Sequence, residues 1–255
     1  MKPLIVANWK MNPATLAEAK RLFNSIKSGL KDIKNVEVIV CPPFVYLPVL
    51  KPKTRGPSSA ISFGGQSCFW EEKGAFTGEV SPKMLKDLGC DYVILGHSER
   101  RRYLNETDEM VNKKLKAVLK SGLKPILCIG SKERGELGNI EMESQLQKAL
   151  SGIKKSELKD IIITYEPVWA ISTTKDSVIA TPENTKEGKI FVRDNLIKLF
   201  DKSSAPKVRI IYGGSVNNAN IEGFIKTAKM EGVLIGAASL DSEEFIKLAK
   251  NAARA

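Results

Sequence analysis

Eight short apolar runs rich in β-branched residues, at positions 4–7, 36–41, 60–63, 92–95, 125–129, 161–165, 209–212 and 233–235, recur along the 255-residue chain with helical stretches between them. Strand and helix in strict alternation is the pattern of βαβ units, whose strands lie parallel. Several runs are apolar throughout, as expected of strands covered on both faces. Eight units at about 32 residues each match the count that closes a barrel, whereas an open doubly wound sheet more often has about five to seven strands. The predicted fold is therefore α/β, a parallel (β/α)8 barrel, with residues 1–255 as one domain. No Ser/Pro/Gly-rich linker, composition break or sequence repeat divides it.

Helix starts fall where this scheme needs them. Ser81 before Pro82 and Thr181 before Pro182 each pair a cap residue with proline at the first helical position. Asp241, with Glu244 three residues on, predicts a capping box before the last helix. Leu115, Val118 and Leu119, and then Phe191, Leu196, Leu199 and Phe200, recur at helical spacing and are expected to face the sheet.

Composition narrows the function class. Hydrophobic residues at 42% and charged residues at 27% exclude disordered, collagenous and disulfide-dense chains. The longest uncharged run, residues 38–50, contains Pro42, Pro43 and Pro48 and is too short to span a bilayer, so no membrane association is expected. The apolar run at residues 4–7 is too short for a signal segment, so no export is expected. Cys41, Cys68, Cys90 and Cys128 show neither a C-x-x-C pair nor zinc spacing, and read as reduced, buried thiols of a cytoplasmic protein. One histidine rules out a multi-histidine centre, and no metal is expected. The net charge of +11 favours an anionic partner: nucleic acid, an acidic surface or a phosphorylated metabolite. No arginine-rich stripe with interleaved aromatic rings supports nucleic acid.

In such a barrel all strands end on one face, so polar residues just past the apolar runs converge however distant in sequence. Those residues are Asn8 and Lys10, then Gly96, His97, Ser98 and Glu99, then Glu166, then Gly213, Gly214 and Ser215, and finally Gly236. A lysine, a histidine and carboxylates round a glycine-rich mouth describe proton-transfer chemistry on a small anion. Backbone N–H groups at glycine turns can hold phosphate oxygens, and the loops after the last two strands of barrels often do so. Acyl transfer would need a Gly-x-Ser-x-Gly elbow, and a lyase a Schiff-base lysine inside a strand; neither is found.

The segments ANWKMN, KGAFTGEVS, LGHSERR, YEPVWA, YGGSV and IGAASL, in this order and spacing, resemble the signatures of the triosephosphate isomerase family over essentially the whole chain. The resemblance implies a cofactor-independent enzyme of glycolysis and gluconeogenesis that interconverts dihydroxyacetone phosphate and D-glyceraldehyde 3-phosphate through an enediolate. It implies Glu166 as base, His97 as neutral hydrogen-bond donor to the substrate oxygen, and Lys10 with Asn8 as substrate binders. Ser172, Ser215, Gly236 and Ala237 would hold the phosphate, and Glu99 would support the proton transfer or pair with Arg100, Arg101 or a lysine. Residues from Pro167 to about Ala180 would form a lid over the substrate. Phe69, Trp70 and Phe76, on the loop between Gln66 and Glu79, would be covered by a second copy of the chain, with Thr77 approaching its active site; the alternative is packing of the rings on their own barrel.

The chain departs from the family pattern at three places. Ser172, Thr173 and Thr174 stand where Gly-Thr-Gly is common, with about three extra residues before Ala180, which removes easy access to positive φ at the lid tip. Ala237 replaces a second glycine after the last strand. Ser131 replaces a glutamate, which would leave a neighbouring basic residue without its partner. The altered lid, with the basic surplus, motivates the rival expectation of a non-catalytic or impaired relative that binds a phosphorylated ligand.

Overall fold

The computed structural model describes residues 1–50, 61–171 and 178–255. Strands β1 (Leu4–Asn8), β2 (Glu37–Cys41), β3 (Ile61–Gly65), β4 (Tyr92–Leu95), β5 (Lys124–Ile129), β6 (Ile162–Tyr165), β7 (Arg209–Gly213) and β8 (Gly232–Ile235) pair in parallel, each with the next, and β8 closes on β1. The helices are α1 (Leu16–Gly29), α2 (Leu47–Leu50), α3 (Pro82–Asp87), α4 (Ser98–Leu104), α5 (Asp108–Lys120), α6 (Gly135–Ala149), α7 (Pro182–Leu199) and α8 (Ser242–Arg254). Between β7 and β8 the regular α-helix gives way to a π-type turn, Gly223–Thr227.

The period-two geometry of a strand sorts the apolar residues into two cores. Leu4, Val6, Ile39, Cys41, Ile94, Ile126, Cys128, Ile162, Ile211 and Leu234 fill the barrel. Their neighbours Ile5, Ala7, Val38, Val40, Val93, Leu127, Ile163, Ile210 and Val233 turn outward against the helices. Full burial of each aliphatic side chain contributes about 1.5–3 kcal/mol. Leu115, Val118 and Leu196 are fully buried at the outer core and Leu119, Phe191 and Phe200 pack on it, while Leu199, in the last turn of α7, is 37% exposed.

The third strand reaches two residues beyond the apolar run that marks it, because Gly64 and Gly65 belong to it. A Cβ at Gly64 would lie 2.7 Å from Cys41 Sγ, and one at Gly65 the same distance from Leu85 Cδ1, so the barrel wall is too tight there for any side chain. Position 60 lies outside the described residues.

The caps form as their sequences predict, with one difference. Ser81 Oγ accepts from the Met84 N–H and Thr181 Oγ1 from the Asn184 N–H, each at 3.2 Å. Asp241 accepts from the N–H groups of Glu243 and Glu244, but the Glu244 carboxylate turns to the Asn218 N–H at 3.2 Å, so this cap is one-sided. The reciprocal box lies instead at Thr15 and Glu18, opening α1. Among the described residues no helix is long and apolar enough to cross a membrane.

Candidate active site

Strand β6 ends beside β5 with Tyr165 opposite Ile129, and Glu166 follows. The Glu166 N–H donates to the Ile129 carbonyl at 2.8 Å, continuing the ladder one step past the strand. Its buried carboxylate accepts from Ser98 twice: Oε2 from the backbone N–H at 3.1 Å and Oε1 from the hydroxyl at 3.0 Å. His97 Nε2 lies 3.1 Å from Oε1. The two residues on which the sequence argument depends therefore meet in one buried place.

His97 follows Gly96, whose φ of +68° and close approach to the Cys128 carbonyl suit only glycine. The imidazole caps α4, its Nδ1 accepting from the Glu99 N–H at 3.3 Å. An Nδ1 that accepts carries no proton, so the neutral ring holds its hydrogen on Nε2, the atom facing Glu166. Glu99 Oε2 stands 3.7 Å from Nδ1, too far to compete with the amide.

Lys10 adopts φ +54°, a left-handed conformation that costs a non-glycine residue about 1–2 kcal/mol. Two side chains hold it there. Asn8 Oδ1 accepts from the Lys10 N–H at 3.1 Å, and Gln66 Nε2 donates to the Lys10 carbonyl at 2.7 Å and to the Cys41 carbonyl at 2.8 Å. The lysine head is thereby aimed at Glu99, with Nζ 2.5 Å from Oε1. Of the partners that the sequence leaves open for Glu99, the structure selects this lysine: Arg100 pairs with Glu106 and Arg101 with Asp108.

The glycine turns lie next to the lysine. A Cβ on Gly236 would stand 3.1 Å from Lys10 Cε, so the end of β8 and the lysine two residues past β1 form one wall. Ala237 opens a single 3-10 turn, Ala237–Leu240, and is exposed. The Ser215 hydroxyl donates to the Ala170 carbonyl at 2.9 Å and so ties the loop after β7 to the segment after Glu166. Ser172, Thr173 and Thr174 lie outside the described residues.

The serine at 131 has a local role. It is buried, and its hydroxyl accepts from the Glu133 N–H at 2.9 Å. Of the basic residues that follow it, Arg134 lays its guanidinium over the Trp169 ring at 4.0 Å from the centroid, a cation–π contact.

Three supporting groups carry no sequence signal of their own. Gln66 shapes Lys10, and Gln145 grips the backbone beside Glu166. Glu106, 4% exposed, accepts from the Gly96 N–H at 3.1 Å and Arg100 Nε at 2.9 Å, and pairs with the buried Lys114, which reaches Ser67 Oγ. Burial opposes charge on Glu106, but Lys114 and Arg100 outweigh it and hold its carboxyl below the ordinary value. At the thiols of Cys41, Cys68 and Cys128 burial is the larger effect: it outweighs the opposing pull of Lys114 and Arg100 at Cys68, pushing that thiol up to about 12, and raises the other two as well.

A sequence model of triosephosphate isomerase matches residues 3–252. The chain belongs to the triosephosphate isomerase family. Proteins named triosephosphate isomerase from Carboxydothermus hydrogenoformans, Dehalococcoides mccartyi and Caldanaerobacter subterraneus subsp. tengcongensis are 46%, 45% and 44% identical to it. The matches cover 98%, 99% and 97% of this chain, respectively, and 98% of each relative. The similarity therefore takes in all eight strands together with Lys10, His97 and Glu166.

Proposed function

We propose that the chain interconverts dihydroxyacetone phosphate and D-glyceraldehyde 3-phosphate by moving one proton between neighbouring carbons. The Glu166 carboxylate takes the proton from C1 of the ketose while the C–H electrons form the enediolate double bond. The C2 carbonyl oxygen gains negative charge and receives a hydrogen bond from His97 Nε2–H; the C1 hydroxyl proton passes to that oxygen, and as the C1–O double bond forms from the carbon–carbon double bond C2 takes back the proton held by Glu166, giving the aldose. Proton transfer by a placed carboxylate contributes about 10² to 10⁴ in rate. Lys10, supported by Asn8 and Glu99, supplies positive charge beside the anionic substrate, and the backbone of Ser215, Gly236 and Ala237, with Ser172, is assigned to its phosphate.

The observation that carries this reading is the 3.1 Å approach of His97 Nε2 to Glu166 Oε1, a base and a donor directed at one point. The hydrogen bonds from Ser98 mean that the carboxylate must leave them to reach a carbon atom. A linked assay on purified protein with D-glyceraldehyde 3-phosphate tests the function: micromolar to millimolar substrate should be consumed with kcat above ~1 s⁻¹. Phosphate-competitive binding without turnover would favour the non-catalytic alternative.

The working unit in this proposal is a cytoplasmic homodimer. Residues 71–79 are exposed without a break, and Phe69 stacks on Trp70 at 4.0 Å and meets Phe76 at a tilt, 4.5 Å between centroids, while Phe76 remains 43% exposed. Gln66 bonds the backbone at Lys10, and the Tyr46 hydroxyl donates to the Pro13 carbonyl at 2.8 Å. These ties bring Met11 and Val45, 92% and 73% exposed, to the base of the same loop. An apolar surface of this kind is what a second copy would cover.

A further inference from the structure

Glu166 is bracketed by backbone. Its N–H donates to the Ile129 carbonyl at 2.8 Å, and two residues later the Val168 N–H donates to the Ser131 carbonyl at 2.9 Å. Between these two anchors lies Gly130, so close that a Cβ on it would stand 1.7 Å from the Glu166 carbonyl oxygen. No side chain can cushion that contact. Where the Gly130 peptide goes, the Glu166 backbone must follow.

The Gly130 peptide is held by one side chain. Gln145 of α6, 4% exposed, accepts from the Gly130 N–H through Oε1 and donates to the Gly130 carbonyl through Nε2, both at 2.9 Å. A primary amide is the side-chain group that offers a donor and an acceptor in one plane, copying the edge of a neighbouring strand. Its second Nε2 hydrogen goes to Glu141 Oε1 at 3.2 Å, which fixes the orientation of the amide.

We propose that Gln145 is a positioning residue for the catalytic base, setting the place of the Glu166 backbone through Gly130; this rests on Glu166 being the base. Misplacing a reacting group by about 1 Å can cost about 100-fold in rate. The proposal therefore predicts that Gln145→Leu, which leaves two backbone groups without their partner, lowers kcat by roughly tenfold to hundredfold. KM for glyceraldehyde 3-phosphate should stay within about threefold, since the phosphate and lysine sites lie on other strands. With proton abstraction slowed, the primary isotope effect on dihydroxyacetone phosphate deuterated at C1 should rise. Gln145→Glu is the second variant: it keeps the shape but has no donor for the Gly130 carbonyl, and the same pattern is expected.

Circular dichroism and thermal melting establish that each variant is folded. A folded variant with wild-type kcat and isotope effect overturns the proposal, as does one in which KM rises while kcat holds. Failure of both variants to fold also overturns it, by making Gln145 a requirement of the fold instead. Glu166→Gln in the same assay separates the two claims. If it retains turnover, the assignment of the base fails and the Gln145 proposal falls with it; if it is inactive while the Gln145 variants match wild type, only the proposal fails.

Discussion

At the residue scale, the site depends on a few positions where backbone constraint and chemistry coincide. Lys10 is held left-handed by Asn8 and Gln66, and Gly130 is a glycine because the Glu166 backbone occupies the space of its side chain. Gly130→Ala should therefore displace Glu166 or unfold the β5 end. The expected outcome is a Tm lower by several degrees together with a kcat loss of at least about tenfold, measured on the same preparation. Lys10, His97 and Glu166 are legible in the sequence because each follows an apolar run that must end at the barrel mouth. Gln66, Gln145 and Glu106 are not legible: each acts on a backbone group far along the chain, and nothing about a lone glutamine or glutamate records which carbonyl it will meet.

At the element scale, α4 and α5 are joined to the end of β4 through one buried carboxylate. Glu106 binds the amide of Gly96, the residue before His97, and its partners Arg100 and Lys114 come from the two helices. Lys114→Met leaves that carboxylate with half its compensation and should destabilise the fold by about 3–5 kcal/mol in urea melts. The sign with pH follows from the depressed pKa. Stability from Glu106 is fully present above the ordinary carboxyl value of 4.5 and is lost as pH falls through its lower folded value. Wild type should therefore lose stability as the pH falls below 4.5, and Lys114→Met should lose less over the same range. The strand-helix alternation is largely readable, since short apolar runs and Ser-Pro or Thr-Pro caps are local signals. The exceptions are β3, extended by two glycines that carry no β signal, and the one-sided cap at Asp241, where Asn218 draws away the Glu244 carboxylate.

At the scale of the whole molecule, closure of eight strands gathers residues 156 positions apart, Lys10 and Glu166, round one mouth. The loop after β3 is tied to the barrel at Gln66 and Ser67 but leaves residues 71–79 exposed and Phe76 43% exposed, and the aromatic residues outside any strand already pointed to this loop in sequence. In sedimentation equilibrium at micromolar concentration the wild type should have twice the chain mass. Phe76→Glu, which places charge in the proposed contact, should shift it toward monomer with a concentration-dependent loss of activity; a monomeric, fully active wild type would remove the dimer from the account.

The most direct test follows the proton itself. Turnover in D2O with NMR detection of deuterium at the carbons of dihydroxyacetone phosphate and glyceraldehyde 3-phosphate should show wild type introducing solvent deuterium during isomerisation, and Glu166→Gln doing so at least about 100-fold more slowly while remaining folded. Exchange and turnover at the wild-type rate in Glu166→Gln would contradict the assignment of this carboxylate as the base.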